Sequence, residues 1–364
     1  MNKKNKESFF ASEGFMNGMS AIIAIIAGLL IGFVLLLVSD SANAAEGFSA
    51  ILQGGFSSGM NGIGKTLYIA TPIILTGLSV GFAFKTGLFN IGASGQFTAG
   101  AFVAIYIGVK WNGLGGMHWV VGLLAATLVG AIFGVIPGLL KAYFNVNEVI
   151  TCIMMNYIGM YGTNLLIRNT VYDEIRNRTQ AVQKTADVPS AGIGEFFGNS
   201  SANFGIVIAI IAVILVYVIL NKTTFGYELK ACGKNKEASK YAGINSKVDI
   251  VLSMAIAGAL SGLGGALLYL SGSGKFIQVV DVIANEGFTG ISVALLGMSN
   301  PIGILFAGLF IAHITVGGGN MQLCGFPPEV VDIITASIIY CGALSLLIKL
   351  FINKLKNAKK KGEK

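Results

Sequence analysis

The 364-residue chain contains little charge: Asp, Glu, Lys and Arg make up only 12% of it, whereas hydrophobic residues make up 54%. A soluble domain carries about a quarter charged residues. So few charges cannot cover a water-exposed globular surface. The composition therefore excludes a soluble globule and indicates an integral membrane protein.

Proline, cysteine and histidine are also scarce. The 6 prolines stand against 50 glycines, a ratio typical of helices that pack closely through small residues. The four cysteines form no Cys-X-X-Cys pair, so we expect them to be reduced and structural. The two histidines, His118 and His313, are far apart in the sequence. No His/Asp/Glu cluster or activated nucleophile is visible, which argues against a membrane enzyme.

Charge is nearly absent from the interiors of the apolar runs. Glu148, Glu329 and Asp332 lie at the starts of such runs, where an acid stabilises a helix N-terminus. A proton- or sodium-coupled carrier usually keeps Asp, Glu or His inside the membrane. We therefore expect the energy source to lie on another chain, although a stand-alone carrier or channel remains the alternative.

Ten apolar runs approach or reach the about 20 residues that a membrane-spanning helix needs. They fall at 18–38, 66–84, 95–110, 118–140, 148–167, 204–220, 250–272, 287–299, 302–318 and 330–350. The run 287–299 is clearly short, and 95–110 and 302–318 are marginal. The sequence thus predicts an all-α, polytopic membrane protein with about ten transmembrane helices, within a range of eight to eleven, some of them short and broken.

The placement of the basic residues predicts the topology. Most of the 25 Lys and Arg residues fall on one side if both termini are cytosolic, as the positive-inside rule requires. The expected organisation is a cytosolic segment 1–17, a transmembrane domain 18–350 and a basic cytosolic tail 351–364. Within the domain, 168–203 is the extracytoplasmic loop and 221–249 a cytosolic loop. Basic residues dispersed in this way do not favour nucleic-acid binding.

The first apolar run is longer than the 7–15-residue core of a signal peptide, so we expect a retained first helix.

One motif is misleading: Gly59-Met-Asn-Gly-Ile-Gly64-Lys65-Thr66 matches the P-loop pattern letter for letter. A P-loop needs a preceding buried strand within an α/β sheet, and this octapeptide leads into a membrane span instead. We therefore expect no nucleotide cofactor on this chain.

The cytosolic stretch Gly226–Ile244 is polar and basic between two apolar runs. It predicts a short soluble helix bracketed by Gly233 and Gly243, with Asn235 as N-cap and Glu237 in the first turn. Such a helix is suited to docking a cytosolic partner. The predicted docking residues are Gly233, Asn235, Glu237, Ala238, Tyr241, Ala242 and Gly243.

Uncharged polar and aromatic residues flank the expected helix breaks. The candidates for a substrate path are Phe89, Asn90, Ser94, Gln96, Asn156, Tyr157, Asn285 and Phe288. Amides can read the edges of a ring while aromatic side chains stack on its faces, so this set suits a neutral, ring-bearing solute. The alternative interpretation is that the amides join helices and the aromatics fill the core.

Several motifs resemble those of one transporter family. Phe84-Lys-Thr-Gly-Leu-Phe-Asn-Ile-Gly-Ala-Ser-Gly-Gln96 is similar to the F-x-x-G-x-F-N-I-G-x-E-G-Q stretch of ABC-importer permeases for branched-chain amino acids, simple sugars and nucleosides. Asn147–Tyr157 resembles the E-V-I-x-T-I-M-M-N-Y motif of the nucleoside branch. Thr223–Ile244 resembles the family's coupling loop, and Ile291–Gly303 its late Gly-rich motif. Ser94 departs from the pattern, which usually has Glu there.

The resemblance implies a permease subunit of an ATP-driven importer, most similar to nucleoside permeases, in the plasma membrane. Its implied partners are ABC ATPase subunits that bind ATP and Mg, a second permease, an extracytoplasmic substrate-binding lipoprotein and a neutral small-molecule solute. Alternating access by the permease pair would move the solute. Simple sugars and branched-chain amino acids are the alternative substrates.

Overall fold

The computed structural model describes residues 13–344, 347, 348 and 350. Most of the predicted N-terminal segment 1–17 and all of the predicted tail 351–364 lie outside the described residues. Fourteen α-helices occur in the described part. They are α1 Glu13–Ser39, α2 Ala44–Gln53, α3 Gly59–Lys85, α4 Ala93–Lys110, α5 His118–Phe144, α6 Glu148–Thr170, α7 Ile193–Phe196, α8 Gly205–Lys222, α9 Thr224–Lys234, α10 Lys236–Tyr241, α11 Ser246–Tyr269, α12 Asn285–Leu296, α13 Pro301–Met321 and α14 Pro328–Ala343.

Sheet structure in these residues is limited to the antiparallel pair β1 (Tyr172–Asp173) and β2 (Arg178–Thr179). The all-α, polytopic prediction is confirmed. Each of the ten apolar runs forms the main part of one helix, and the P-loop-like octapeptide opens α3 without a preceding strand.

Seven helices of the described part are long and apolar enough to cross a membrane: α1, α3, α5, α6, α8, α11 and α13. The other three runs form α4, α12 and the described portion of α14. Helix α12 has 12 residues, or about 18 Å at 1.5 Å per residue, whereas the hydrocarbon core is about 30 Å thick. The short broken helix is therefore confirmed at α12, while ten crossings stays a prediction.

Helices α3 and α11 form the centre of the bundle. In the most apolar stretch of α3, 83% of the residues are buried, whereas in that of α1 only 22% are. Leu75, Leu78 and Phe82 of α3 are fully or almost fully buried in the main hydrophobic cluster. Helix α1 instead exposes large apolar side chains such as Leu30 and Val38, as expected for a helix that faces lipid.

Small residues set the distance between α5 and α11. A Cβ added to Gly258 would collide with the carbonyl oxygen of Gly130, and one added to Gly134 would collide with that of Met254. The two backbones therefore touch directly, which is how small residues allow close helix packing in membranes. This contact explains part of the glycine excess.

The polar segment 168–203 holds the chain between α11 and α12 in place. The Thr179 amide donates to the Ile277 carbonyl at 3.0 Å, and the Val188 amide to Leu270 at 2.7 Å. The Arg178 guanidinium lies 3.7 Å above the Phe276 ring. These contacts position residues 270–284, which lead into the half-helix α12.

The α5–α11 contact generates a stability prediction. Replacing Gly258 with Val should destabilise the fold by about 1–3 kcal/mol, because overpacking forces the two backbones apart. Replacing Gly162 with Ala should leave stability nearly unchanged, because a Cβ there meets nothing within 4 Å. Thermal unfolding of the purified variants measures the difference, and equal midpoints would contradict it.

Candidate translocation and coupling sites

The break between α3 and α4 is closed by side-chain amides. The Asn90 amide nitrogen donates to Gln96 Oε1 at 2.9 Å, and the Gln96 amide nitrogen donates to Asn90 Oδ1 at 3.1 Å. Asn90 also donates to Ser79 Oγ at 3.0 Å. Both amides are fully or almost fully buried. In this conformation they bond each other, so they hold the broken helix together rather than face a solute.

Asn156 joins α6 to the same break. Its amide nitrogen donates to the Ile91 carbonyl at 3.0 Å, and its Oδ1 accepts from the Gly95 amide at 2.8 Å. The neighbouring Tyr157 is 45% exposed and stacks on Tyr161 at the surface of the chain. The structure therefore places Tyr157 apart from the other predicted path residues. The reason is that adjacent residues on a helix point in different directions.

Phe89 and Ser94 complete the predicted set at this break. Phe89 is half-buried and stacks on Phe84, with 5.1 Å between ring centroids. Ser94 is fully buried, and its hydroxyl has no hydrogen-bond partner within residues 13–344. The backbone of Gly287, in α12, lies directly against it. This close approach leaves no room for the Glu that the resembling family usually has at this position.

A cavity with a volume of about 820 Å³ lies between α3, α12, α13 and α14. This volume is within the range of about 300–1,000 Å³ typical of small-molecule sites. Of the eight predicted path residues, Asn285 and Phe288 line it. Apolar walls come from α3, including Pro72 and Ile73, and hydroxyl groups come from Thr289, Ser292, Thr315 and Thr335.

Sequence reasoning missed the contribution of α14 to this cavity. Asp332, Thr335, Ile339 and Tyr340 all line it. Their spacing of three, four and one is the signature of one helical face, and that signal could have found them. The interpretation of Asp332 as a helix N-terminal acid is therefore incomplete, because this residue also lines the cavity.

The interpretation of Glu148 as a helix-start residue agrees with the structure. Asn147 caps α6 by accepting from the Val149 amide at 2.9 Å. The Glu148 carboxylate pairs with Lys141 of α5 at 2.9 Å. Both side chains thus fasten the turn between α5 and α6.

The cytosolic loop predicted at 221–249 contains two helices, α9 and α10, rather than one. The predicted N-cap is present: Asn235 Oδ1 accepts from the Ala238 amide at 3.0 Å. Gly243 follows α10 with a φ of 82°, the left-handed conformation that favours glycine after a helix. Gly233 precedes α10 and lies in the last turn of α9.

Helix α10 presents an unpartnered surface in the single chain. Glu237, Ala238 and Ala242 are exposed, and Tyr241 is 94% exposed. Ser239 points the other way and is buried. A large exposed aromatic on so short a helix is consistent with a docking surface.

Helix α9 connects this surface to the membrane core. A Cβ on Gly233 would lie 2.5 Å from the Lys85 carbonyl oxygen and 2.9 Å from the Gly87 nitrogen, so α9 touches the break between α3 and α4 through bare backbone. The Cys232 thiol donates to Asp249 of α11 at 3.3 Å. Burial raises the pKa of this thiol, which keeps it a protonated donor. Helix α9 thus links the exposed surface of α10 to the break between α3 and α4.

A multi-helix membrane chain with a short half-helix beside a cavity and an exposed helix pair in its polar loop has the features of an integral-membrane transport subunit. The family described as branched-chain amino acid transport system / permease component matches residues 62–343. The chain belongs to this family. It is a multi-pass membrane subunit of an ABC transporter, not an enzyme, and it works with ABC ATPase and permease partners.

Several relatives are similar over almost their whole length. The guanosine ABC transporter permease protein NupP of Bacillus subtilis is 40% identical, over 92% of this chain and 95% of its own. The nucleoside ABC transporter permease protein NupB of Lactococcus lactis is 37% identical, over 94% and 97%. The glucose ABC transporter permease protein TsgB13 of Haloferax volcanii is 30% identical, over 87% and 85%. No solved structure matches.

The α9 contact generates a second prediction. Gly233→Ala should reduce solute uptake and coupled ATP hydrolysis by the assembled transporter roughly tenfold, because the added methyl group pushes α9 away from Lys85 and Gly87. Lys234→Ala, at the next and exposed position of α9, is the matched control and should retain activity. Normal coupling in the Gly233 variant would show that this contact transmits nothing.

Proposed function

We propose that this chain is a permease subunit of an ATP-driven nucleoside importer and forms the translocation path with a second permease by alternating access. The observation that carries the proposal is its similarity, over almost the full length, to two permease proteins named for guanosine and nucleosides. The cavity supports the same class of solute. It combines the rings of Phe288 and Tyr340 with the Asn285 amide and several hydroxyl groups.

The shape of the cavity supports a shared path. Phe288, Asp332 and Tyr340 line it and are exposed in the single chain, so its wall is incomplete on the side of α14. A second permease packed against α14 would close that wall. Such pairing gives each subunit half of the path and lets both halves rock against each other.

The proposed drive comes from the cytosolic side. ATP and Mg bind on the partner ATPases, and no cofactor is held by this chain. Closure of the ATPase pair pulls on α10 through its docking residues. The pull passes through α9 to residues 86–92 and then, through the contact of Ser94 with Gly287, to α12 at the cavity.

The proposed orientation places both termini in the cytosol and the 168–203 loop outside. Loop 168–203 then meets an extracytoplasmic substrate-binding lipoprotein, which delivers the nucleoside to the outer opening. Because 168–203 holds the chain that leads into α12, docking there would act on the same half-helix as the ATPases. Deletion of the lipoprotein should therefore abolish uptake at low solute concentration.

An uptake experiment tests the substrate and the class of transporter together. Proteoliposomes holding the complete transporter, its binding protein and ATP should concentrate labelled guanosine, whereas this chain alone should concentrate nothing. Unlabelled nucleosides should compete, and glucose and leucine should not. Accumulation by the lone chain would contradict the proposal in favour of a secondary carrier, and competition by glucose alone would contradict the nucleoside assignment.

The docking role of α10 has its own test. The double variant Glu237→Arg/Ala238→Arg should lose both co-purification of the ATPase and uptake, because two bulky cations replace one acidic and one small exposed side chain. Glu174→Arg/Ile175→Arg is the matched control, since Ile175 is 96% exposed in a different loop. It should retain the ATPase. Full ATPase binding by the α10 variant would place the docking surface elsewhere.

A further inference from the structure

Two acidic residues line the cavity without a partner in the described part of the chain. Glu286 comes from the first turn of α12 and Asp332 from the second turn of α14, and both line the 820 Å³ cavity. Neither makes an ion pair or a hydrogen bond with any residue of the described chain. Carboxylates in a membrane protein that pair with nothing are costly and generally functional.

Glu286 occupies a position that would otherwise attract anions. Ala284 precedes α12 and provides no side-chain cap, so the first amides of the helix lack a side-chain acceptor. Helix N-termini carry a partial positive charge and bind phosphate readily. This N-terminus lies where the 820 Å³ cavity meets a second one of about 310 Å³, since Asn285 and Glu286 line both. The Glu286 carboxylate offsets the positive potential at that junction.

The charges around the cavity favour repulsion of anions. Lys275 is the cation that also lines it, and its ammonium lies 5.9 Å from the centre of the Tyr68 ring. Glu286 and Asp332 together outweigh this single positive charge. A phosphate monoester carries about −1.5 to −2 charges at pH 7. At an effective dielectric constant of about 20, a separation of about 8 Å and a Debye length of about 8 Å in physiological salt, each carboxylate disfavours it by roughly tenfold.

We propose that Glu286 and Asp332 are specificity-determining residues that admit uncharged, hydroxyl-bearing solutes and exclude their phosphorylated forms. The inference rests on the proposed nucleoside function. A carboxylate accepts hydrogen bonds but donates none. The pair therefore accepts hydroxyl groups of a nucleoside and repels the phosphate of a nucleotide.

The test measures binding to the assembled transporter without its binding protein, so that only the permease selects. Labelled guanosine is bound to the purified complex and displaced by unlabelled guanosine or by guanosine 5′-monophosphate. Glu286→Gln and Asp332→Asn keep side-chain shape and remove one charge each. In each variant, the ratio of the affinity for guanosine to the affinity for its monophosphate should fall roughly tenfold.

Glu329→Gln is the matched control. It removes the same charge one turn earlier in α14, from an exposed side chain outside the cavity lining, and should leave the preference unchanged. Because the two test residues lie on different helices, one variant still decides if the other fails to assemble. If the assembled variants keep a preference for guanosine over its monophosphate within twofold of that of the unsubstituted transporter, the inference is overturned and the proposed function stands. Absence of any guanosine binding by the unsubstituted complex would overturn the proposed function, and this inference with it.

Discussion

Backbone groups that are buried outside a continuous helix must find partners inside the protein, and the architecture of this chain depends on that constraint. The break between α3 and α4 satisfies it with buried amides. Asn90 and Gln96 bond each other, and Asn156 bonds the backbone on both sides of the turn. With these bonds in place the chain can leave the helix at Lys85 and re-enter it at Ala93.

The same break is the meeting point of three parts of the molecule. From the polar loop 221–249, α9 touches it through Gly233. From within the bundle, α12 touches it through the contact of Gly287 with Ser94. Other residues of α12 line the 820 Å³ cavity. The contacts of Gly233 and Gly287 are made by small residues or bare backbone. Side-chain rearrangement can therefore take up little of a rigid displacement of one helix against another.

Much of the fold could be predicted from the sequence, because helix formation in lipid depends on local composition. Nine of the ten apolar runs, and the described part of 330–350, form helices, and the cap expected at Asn235 is present. The short length of α12 was visible in its apolar run. Direction in space did not follow from these patterns: Tyr157 lies at the surface of the chain, and Gly233 packs against the break between α3 and α4.

The sequence by itself determined that the chain is an all-helical membrane subunit with a capped helix in its polar loop, since charge, hydropathy and capping act over a few residues. Tertiary structure alone decided which polar groups remain free. The amides of Asn90 and Gln96 hydrogen-bond each other, and that of Asn156 hydrogen-bonds the backbone. Asn285, Glu286 and Asp332 instead line an open cavity. These residue types are alike in a sequence. Only the packing of α12 against α14 brings residues far apart in the chain to one cavity, and no local pattern encodes that distance.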